Sequence, residues 1–325
     1  MQEKPGYKKR TIRNHLQRKV YDWLQSIDDA QLKASVENNI IVTGGAIPSM
    51  LMGEVPNDYD IYFSDNEIAE RVAQYYVDKF NKYGVVGYYE PEVKREKKTN
   101  IKGIEEERVL VYIKSAGVAD VADVTDDEDE ERFVVVEDST GNPDNNIDDM
   151  LVGEYIKETS EKMREDMGKY YVKYLSENAI TLSDKIQLVL RFTGNAEEIH
   201  NNYDFVHTTN YYTYKDNNLV LQQEALEAIM SRSLVYQGSL YPVASIFRIR
   251  KFLDRGWKIT AGQMLKIMAQ ISSIDLTNRD ILRDQLIGVD VVYMSQLIKA
   301  IEASKKEAID STYLGELIDR IFGDQ

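Results

Sequence analysis

The chain has 325 residues, of which 43% are hydrophobic, and carries a formal net charge of −15. This length allows a substantial buried core and indicates two domains or one elaborated domain. No apolar run approaches the roughly 18 residues of a membrane span, the polar start is unlike a signal peptide, and the absence of cysteine excludes disulfides and thiolate metal sites. We therefore expect a cytoplasmic protein without a membrane partner.

The first 22 residues are basic, since seven lysines and arginines oppose only Glu3 and Asp22. Apolar residues recur at helical spacing behind them and predict an amphipathic helix over 11–36, so that residues 1–37 form a basic N-terminal helix. Its charged face is either simply solvated or contacts nucleic acid or an acidic partner. Because phosphate contacts dominate nucleic-acid affinity, one basic arm on a near-neutral body is poorly suited to gripping tRNA.

A diglycine turn follows the first predicted strand. The run Asn39–Val42 leads into Gly44 and Gly45, whose backbone can approach a ligand closely. A short helix is predicted over Ile47–Met52, and the free amides at a helix start favour phosphate. Gly44 and Gly45 are therefore candidate phosphate-binding residues.

The next predicted strand, Asp58–Phe63, carries two acids at alternating positions. Residues two apart on a strand share a face and lie roughly 6.5 to 7 Å apart. Two such carboxylates can bridge a pair of divalent ions about 3.5 to 4 Å apart. Asp58 and Asp60 are therefore predicted to be catalytic residues and ligands of Mg²⁺ or Mn²⁺.

An acidic segment accounts for most of the negative charge. Residues 120–149 contain thirteen acids and one base, so the other 295 residues sum to −3. The segment lacks the ligand spacing and glycine turn of a Ca²⁺ site and is predicted to be a solvated surface loop. A capping box at Ser64–Glu67 is predicted to open a helix, and strands are predicted at Val109–Ile113 and Phe133–Val136.

The remaining pattern predicts an α+β fold. Strands at Tyr171–Tyr174, Ile186–Phe192 and Phe205–Tyr214 complete a mixed sheet, and the pattern becomes helical after Gln222, with Pro242 opening one helix. We expect a head domain over 38–215 with an insertion at about 90–170, and a helical domain over 216–325.

The motif Gly44-Gly45-Ala-Ile-x-x-x-Leu-x-Gly53-x-x-Pro56-x-Asp58-x-Asp60-Ile resembles the head-domain signature of the poly(A) polymerase and tRNA CCA-adding branch of the polymerase-beta nucleotidyltransferase superfamily. The segment Ser245–Ile259 is similar to the one that closes that domain. Together with Phe192–Tyr212, the pattern resembles uncharacterised phage-encoded nucleotidyltransferase-like proteins. This resemblance extends the expected location to a host cytoplasm or a virion.

The chain departs from this family at three places. Pro48 and Ser49 stand where the family has an Arg-Asp pair, and Tyr203 replaces the arginine of its Arg-Asp-Phe segment. Gln187 stands where the superfamily has a third carboxylate, and an amide binds Mg²⁺ less well. Either the triphosphate contacts have been rebuilt or turnover has been lost.

Three further residues are candidates for nucleotide contacts. Arg191 and Arg248 are candidates for neutralising phosphate charge, the latter because of the family resemblance. His207 lies on a predicted strand near the expected pocket. His200 and His207 flank Asp204, where structural hydrogen bonding is favoured over a metal or acid-base cluster.

The resemblance implies metal-dependent transfer of a nucleoside monophosphate from a nucleoside triphosphate (NTP) to an acceptor hydroxyl, with release of pyrophosphate. The acceptor is an RNA end, a small molecule or a protein side chain. The alternative is a catalytically degenerate fold that serves as a phage structural or host-interaction module. A nucleotidyltransferase toxin or antitoxin would share the chemistry but differ in biological role.

Overall fold

The structure, a computed structural model, describes residues 5–83, 89–99, 103, 105–115, 134–135, 164–165, 167–276, 278, 281–282, 285 and 316. The chain divides into two compact units. Unit 1 comprises Met1–Asn201 and Asn210–Leu221, and unit 2 comprises Asn202–Thr209 and Gln222–Gln325. The domain boundaries at 37 and 215 stay predictions. Apart from 134–135, the acidic segment 120–149 lies outside the described residues.

Two helices open unit 1. Helix α1 (Lys9–Gln25) buries an apolar stripe that ends at Trp23 and Leu24. Helix α2 (Ala30–Glu37) begins after Asp29, whose carboxylate accepts hydrogen bonds from the backbone N–H groups of Gln31 and Leu32. A capping aspartate favours a new helix start over continuation of the old one. The prediction of a single helix over 11–36 is therefore wrong, although the inward apolar face is confirmed.

The centre of unit 1 is an eight-stranded mixed sheet with strand order β10-β9-β1-β2-β8-β7-β6-β5. Among the described strands of this sheet, only β2 and β8 run parallel to each other. The sheet and the helices around it confirm the predicted α+β class. Its strands are β1 (Ile40–Thr43), β2 (Tyr59–Phe63), β5 (Val134–Val135), β6 (Val172–Leu175), β7 (Ala179–Leu182), β8 (Ile186–Thr193), β9 (Tyr211–Thr213) and β10 (Asn218–Val220).

One face of this sheet is apolar because β-strand side chains alternate between faces. Ile186, Leu188 and Leu190 of β8 are fully buried, whereas the residues between them are partly exposed. Ile61 of β2 and Val42 of β1 belong to the same hydrophobic core. The opposite face carries the polar residues of these strands.

Three more helices belong to unit 1, namely α3 (Ala46–Leu51), α4 (Asn66–Tyr83) and α5 (Ala196–His200). The predicted capping box at Ser64 is wrong, because Asp65 Oδ1 accepts the hydrogen bond from the Ile68 N–H at 2.9 Å. The side chain of Asn195 caps α5 and forms a capping box with Glu198. Strands β3 (Tyr89–Thr99) and β4 (Glu105–Ser115) form a separate antiparallel pair, which contains the predicted strand at Val109–Ile113.

Unit 2 is mainly helical where the structure describes it, with α6 (Gln223–Ser231), α7 (Pro242–Asp254) and α8 (Ala261–Ile271). Pro242 opens α7 as predicted. Strands β11 (Ser233–Leu234) and β12 (Lys258–Ile259) pair in parallel. Within the described part of the chain, no helix has both the length and the apolar character to cross a membrane.

The strand predicted over Phe205–Tyr214 is wrong. Residues Val206–Thr208 form a 3-10 turn in unit 2, and only Tyr211–Thr213 joins the sheet of unit 1. The hydroxyls of Thr208 and Thr209 donate to the carbonyls of Phe205 and Val206, at 2.7 and 2.8 Å. Threonine hydroxyls that bond to the local backbone in this way compete with strand pairing.

Candidate active site

A row of polar residues crosses the centre of the sheet of unit 1. Thr43 of β1 lies opposite Asp60 of β2, and Asp60 lies beside Gln187 of β8. Thr181 of β7 is in turn the partner of Gln187. Side chains of laterally paired residues share one face of a sheet. We call these four residues, Thr43, Asp60, Gln187 and Thr181, the polar row.

Asp58 precedes β2 by one residue and adds a second carboxylate near Asp60. Both aspartates are partly buried. Burial and the negative charge of Asp58 raise the pKa of Asp60 well above its ordinary value of 3.8. The two acids therefore lie close enough that the charge of Asp58 disfavours ionisation of Asp60. A bound cation would relieve that repulsion.

The donor set fits a divalent metal only in part. Two carboxylates and the amide oxygen of Gln187 are hard oxygen ligands of the kind that Mg²⁺ prefers. Among the residues that the structure describes, however, no group of three or more histidine and acidic side chains is arranged to hold a metal ion. Any such ion would rely on Asp58 and Asp60, with its other ligands coming from substrate and water.

The diglycine turn ends β1 next to the polar row. Gly44 has a φ of 86°, in the left-handed region that side-chain-bearing residues rarely adopt. Gly45 has an ordinary backbone conformation, but nothing lies within 4 Å of where its Cβ would stand. The predicted close approach of a ligand to this backbone therefore has the necessary open space.

His200 connects the end of β1 to the segment before β9. The Thr43 hydroxyl donates to the carbonyl of Asn210 at 2.9 Å, so Nε2 of His200, 2.8 Å away, donates to the Thr43 oxygen. Burial lowers the pKa of His200 to about 4, which keeps the ring neutral at physiological pH. The structural role predicted for His200 is consistent with these contacts.

Arg191 lies on β8, four residues beyond Gln187. Its Nη1 donates to Asn178 Oδ1 at 3.3 Å, and its guanidinium carbon is 5.6 Å from the centre of the Phe192 ring. These contacts orient the side chain. Its proposed interaction with phosphate stays a prediction.

His207 belongs to unit 2 and lies in an aromatic cluster. Its ring centre is 4.3 Å from that of Trp257 and 4.6 Å from that of Phe252. The side chain is buried, and neither ring nitrogen has a hydrogen-bond partner among the residues that the structure describes. Structural hydrogen bonding was therefore the wrong interpretation for His207. Its predicted nucleotide contact stays untested.

Arg248 also belongs to unit 2, where its Nη1 is 2.6 Å from Asp204 Oδ2. Asp204 is buried, so this contact neutralises a carboxylate that has little access to water. Arg248 therefore has a structural role in unit 2. Its nucleotide contact stays a prediction. The other predicted site residues lie in unit 1, namely Gly44, Gly45, Asp58, Asp60 and Arg191. Of these, Asp58 lies close to Asp60, and Asp60 lies beside Gln187.

Replacing Arg248 with methionine should destabilise unit 2 by about 2 to 3 kcal/mol, because a buried charge left without its partner is costly. Urea unfolding measures the loss. The surface control Lys266→Met should change stability by less than about 0.5 kcal/mol. Normal stability of Arg248→Met with weakened nucleotide binding would instead identify Arg248 as a ligand contact.

The fold and the polar row define an α+β protein with a paired-carboxylate candidate site on the polar face of a mixed sheet. Residues 14–232, about two thirds of the chain, match the family described as Gabija anti-defense 2 family protein, and the chain belongs to this family. The matched segment contains the polar row, Asp58 and the diglycine turn.

A curated relative with the name Gabija anti-defense 2, from Bacillus phage SPbetaL7, is 24% identical over 139 residues. The alignment covers 42% of this chain and 33% of the relative, so the chain spans about a third of that protein's length. The predicted relation to phage-encoded proteins is confirmed by this similarity.

Proposed function

We propose that this protein counteracts a Gabija-type bacterial defence system during phage infection. Membership in the Gabija anti-defense 2 family, over residues 14–232, is the observation that carries the proposal. It follows that a component of the host's defence, or a molecule that this component uses, is the partner. This role agrees with the host-interaction alternative drawn from the sequence.

We further propose that the means is metal-dependent nucleotidyl transfer at Asp58 and Asp60. The supporting observation is the pair of carboxylates beside the diglycine turn, whose Gly45 is exposed, with the pKa of Asp60 raised by burial and by Asp58. Proteins seldom keep two repelling acids partly buried without a cation or a reaction that uses them.

In this reaction the acceptor oxygen forms a bond to the α-phosphorus of an NTP and the bond to the β-phosphate bridge breaks. Pyrophosphate leaves, and the hydroxyl proton passes to water. Asp58 and Asp60 would hold Mg²⁺ or Mn²⁺, which when bound supplies charge neutralisation for the phosphates. The backbone of Gly44 and Gly45 is the proposed contact for the polyphosphate, and Arg191 is a proposed contact for its charge.

A second candidate function is binding without catalysis. Gln187 is the observation that favours it, because an amide lies beside Asp60 where the resembled superfamily has a carboxylate. On this proposal the protein captures a defence component, or a nucleotide that the component needs, and does not transform it.

One experiment separates these two candidates. The protein is incubated with Mg²⁺ or Mn²⁺ and each α-labelled NTP, alone and with lysate of bacteria that carry the defence system. Asp58→Asn and Asp60→Asn are the test variants, and the exposed turn residue Asp216 provides the control Asp216→Asn. Label transfer that both test variants lose and the control keeps supports the enzyme.

The infection assay tests the biological role. A phage sensitive to the defence system is plated on defended cells that express each variant. Protection of the phage by the wild-type chain supports the counter-defence proposal, and its absence contradicts it. Protection that survives both Asp58→Asn and Asp60→Asn favours the binding function over catalysis.

A further inference from the structure

The turn between β7 and β8 has an unusual backbone. Asp184 and Lys185 have φ values of 58° and 62°, so two successive residues with side chains occupy the left-handed region. Asparagine and glycine are the residues that such tight turns prefer, because a Cβ is disfavoured there. We call Ser183–Lys185 the clamp turn. Asp184 and Lys185 are therefore not the residue types that this backbone conformation favours.

Contacts from two directions hold the clamp turn in this conformation. The carboxylate of Asp184 pairs with Lys19 of α1 at 2.7 Å and with Lys169 at 2.8 Å. The Lys19 ammonium also donates to the carbonyl of Asp184. Ser183 is buried, and its hydroxyl accepts the Tyr171 N–H at 3.0 Å. Strained residues persist where the surrounding structure fixes them in this way, and such places are common at functional sites.

Lys185 contacts the segment that contains Asp58 at two points, one before Asp58 and one after it. The backbone N–H of Tyr59 donates to the Lys185 carbonyl at 2.7 Å. The ammonium of Lys185 donates to the Pro56 carbonyl at 2.9 Å. The intervening residues, Asn57 and Asp58, therefore lie in a segment that one residue holds at both ends.

We propose that Lys185 is a positioning residue that holds Asp58 beside Asp60 in the geometry needed to bind a divalent metal. This inference rests on the proposed metal-dependent function. Asp58 lies one residue before β2, between the two residues that Lys185 contacts. These two contacts restrain the segment around Asp58 from a turn that is remote from it in sequence. The ammonium of Lys185 makes a contact that glycine, although it would relax the backbone of the turn, could not make.

The test compares four variants of the full chain. Lys185→Met removes the ammonium contact and keeps most of the side-chain length, and Lys185→Arg restores a donor. Lys185→Gly relaxes the turn but also lacks the donor. Lys215→Met, at an exposed lysine in the β9–β10 turn, is the matched control. Two quantities are measured: hydrogen exchange of the amides in residues 57–60, and Mn²⁺ binding by electron paramagnetic resonance.

We expect Lys185→Met to exchange the amides of residues 57–60 about tenfold faster and to bind Mn²⁺ about tenfold more weakly, as for losses of groups that orient metal ligands. Lys185→Arg and Lys215→Met should stay close to the wild-type chain. Lys185→Gly should match Lys185→Met in both measurements while its thermal midpoint equals or exceeds that of the wild type. A purely structural lysine would instead lower that midpoint.

Two results would overturn the inference in distinguishable ways. If Lys185→Met left hydrogen exchange and Mn²⁺ affinity unchanged, Lys185 would not be a positioning residue, and the proposed metal site would be unaffected. If the wild-type chain bound no Mn²⁺ but Lys185→Met still exchanged its amides faster, the proposed metal function would be wrong. Lys185 would then restrain the segment around Asp58 without serving a metal site.

Discussion

Replacing Asp60 with asparagine should reduce nucleotidyl transfer by about a thousandfold or more, because losing a charged metal ligand removes several kcal/mol of transition-state stabilisation. The same substitution should raise the free energy of unfolding at neutral pH. Loss of activity together with gain of stability is the pattern expected when a residue is kept for chemistry and not for the fold. Radiolabel transfer and urea unfolding measure the two effects.

The gain in stability follows from the direction of the pKa shift. The pKa of Asp60 is raised in the folded protein because burial and the charge of Asp58 disfavour the carboxylate. Above the unfolded value of 3.8, the folded state therefore binds more protons than the unfolded chain. Stability consequently falls as pH rises from 3.8 towards the folded pKa. Asparagine carries no charge at any of these pH values and avoids this loss.

The metal dependence of stability provides the matching control. Mn²⁺ should stabilise the wild-type chain against urea by binding the folded state, and it should have little effect on Asp60→Asn. Asp216→Asn should behave like the wild type in both measurements. A less stable Asp60→Asn protein, with unchanged response to Mn²⁺, would mean that Asp60 serves the fold and would contradict the metal site.

The paired acids could be predicted from sequence because their spacing is local. Asp60 lies in β2 and Asp58 directly precedes this strand, so the two acids are only two residues apart in the chain. The diglycine turn could also be predicted from local sequence, because glycine is the residue type that readily adopts the positive φ observed at Gly44. Short-range geometry therefore sufficed for the centre of the site.

The surroundings of the site depend on pairings between distant segments. Lys185 and Pro56 are 129 residues apart, and Thr43 and His200 are 157 apart. No local pattern specifies which strand lies beside β2. The resemblance drew attention to Gln187, but its position beside Asp60 is a property of the β2–β8 register. Contacts of this kind come from sheet assembly and not from propensity.

Acidification should destabilise the protein through His207. Burial lowers the pKa of His207 to about 4 from an ordinary 6.5, with the charge of Asp204 opposing and that of Arg255 adding to this shift. Between these two values the unfolded chain binds more protons than the folded one. Stability is therefore lost as pH falls from 6.5 towards 4, by about 3 kcal/mol for this residue when the whole shift is counted.

His207→Phe should remove this part of the acid sensitivity. Phenylalanine is apolar like the surrounding rings of Phe205, Phe252 and Trp257, and it has no ring nitrogens to leave without partners. The variant should therefore be at least as stable as the wild type at pH 7, and the difference should grow at pH 5. The phenylalanine ring is larger than imidazole and could overpack the cluster. His207→Leu, which is closer in volume to histidine, therefore serves as a second variant. Urea unfolding across this pH range measures both variants.

The two other histidines provide controls for the same measurement. His200, whose pKa is also lowered to about 4, should continue to destabilise His207→Phe in acid, so the variant should lose only part of the pH dependence. Burial also lowers the pKa of His15, but this ring is more exposed than the other two, so His15→Asn should change the pH dependence less. If His207→Phe kept the full acid sensitivity of the wild type, the imidazole would have to gain a partner when protonated. The aromatic cluster around His207 would then be an open site and not a closed core.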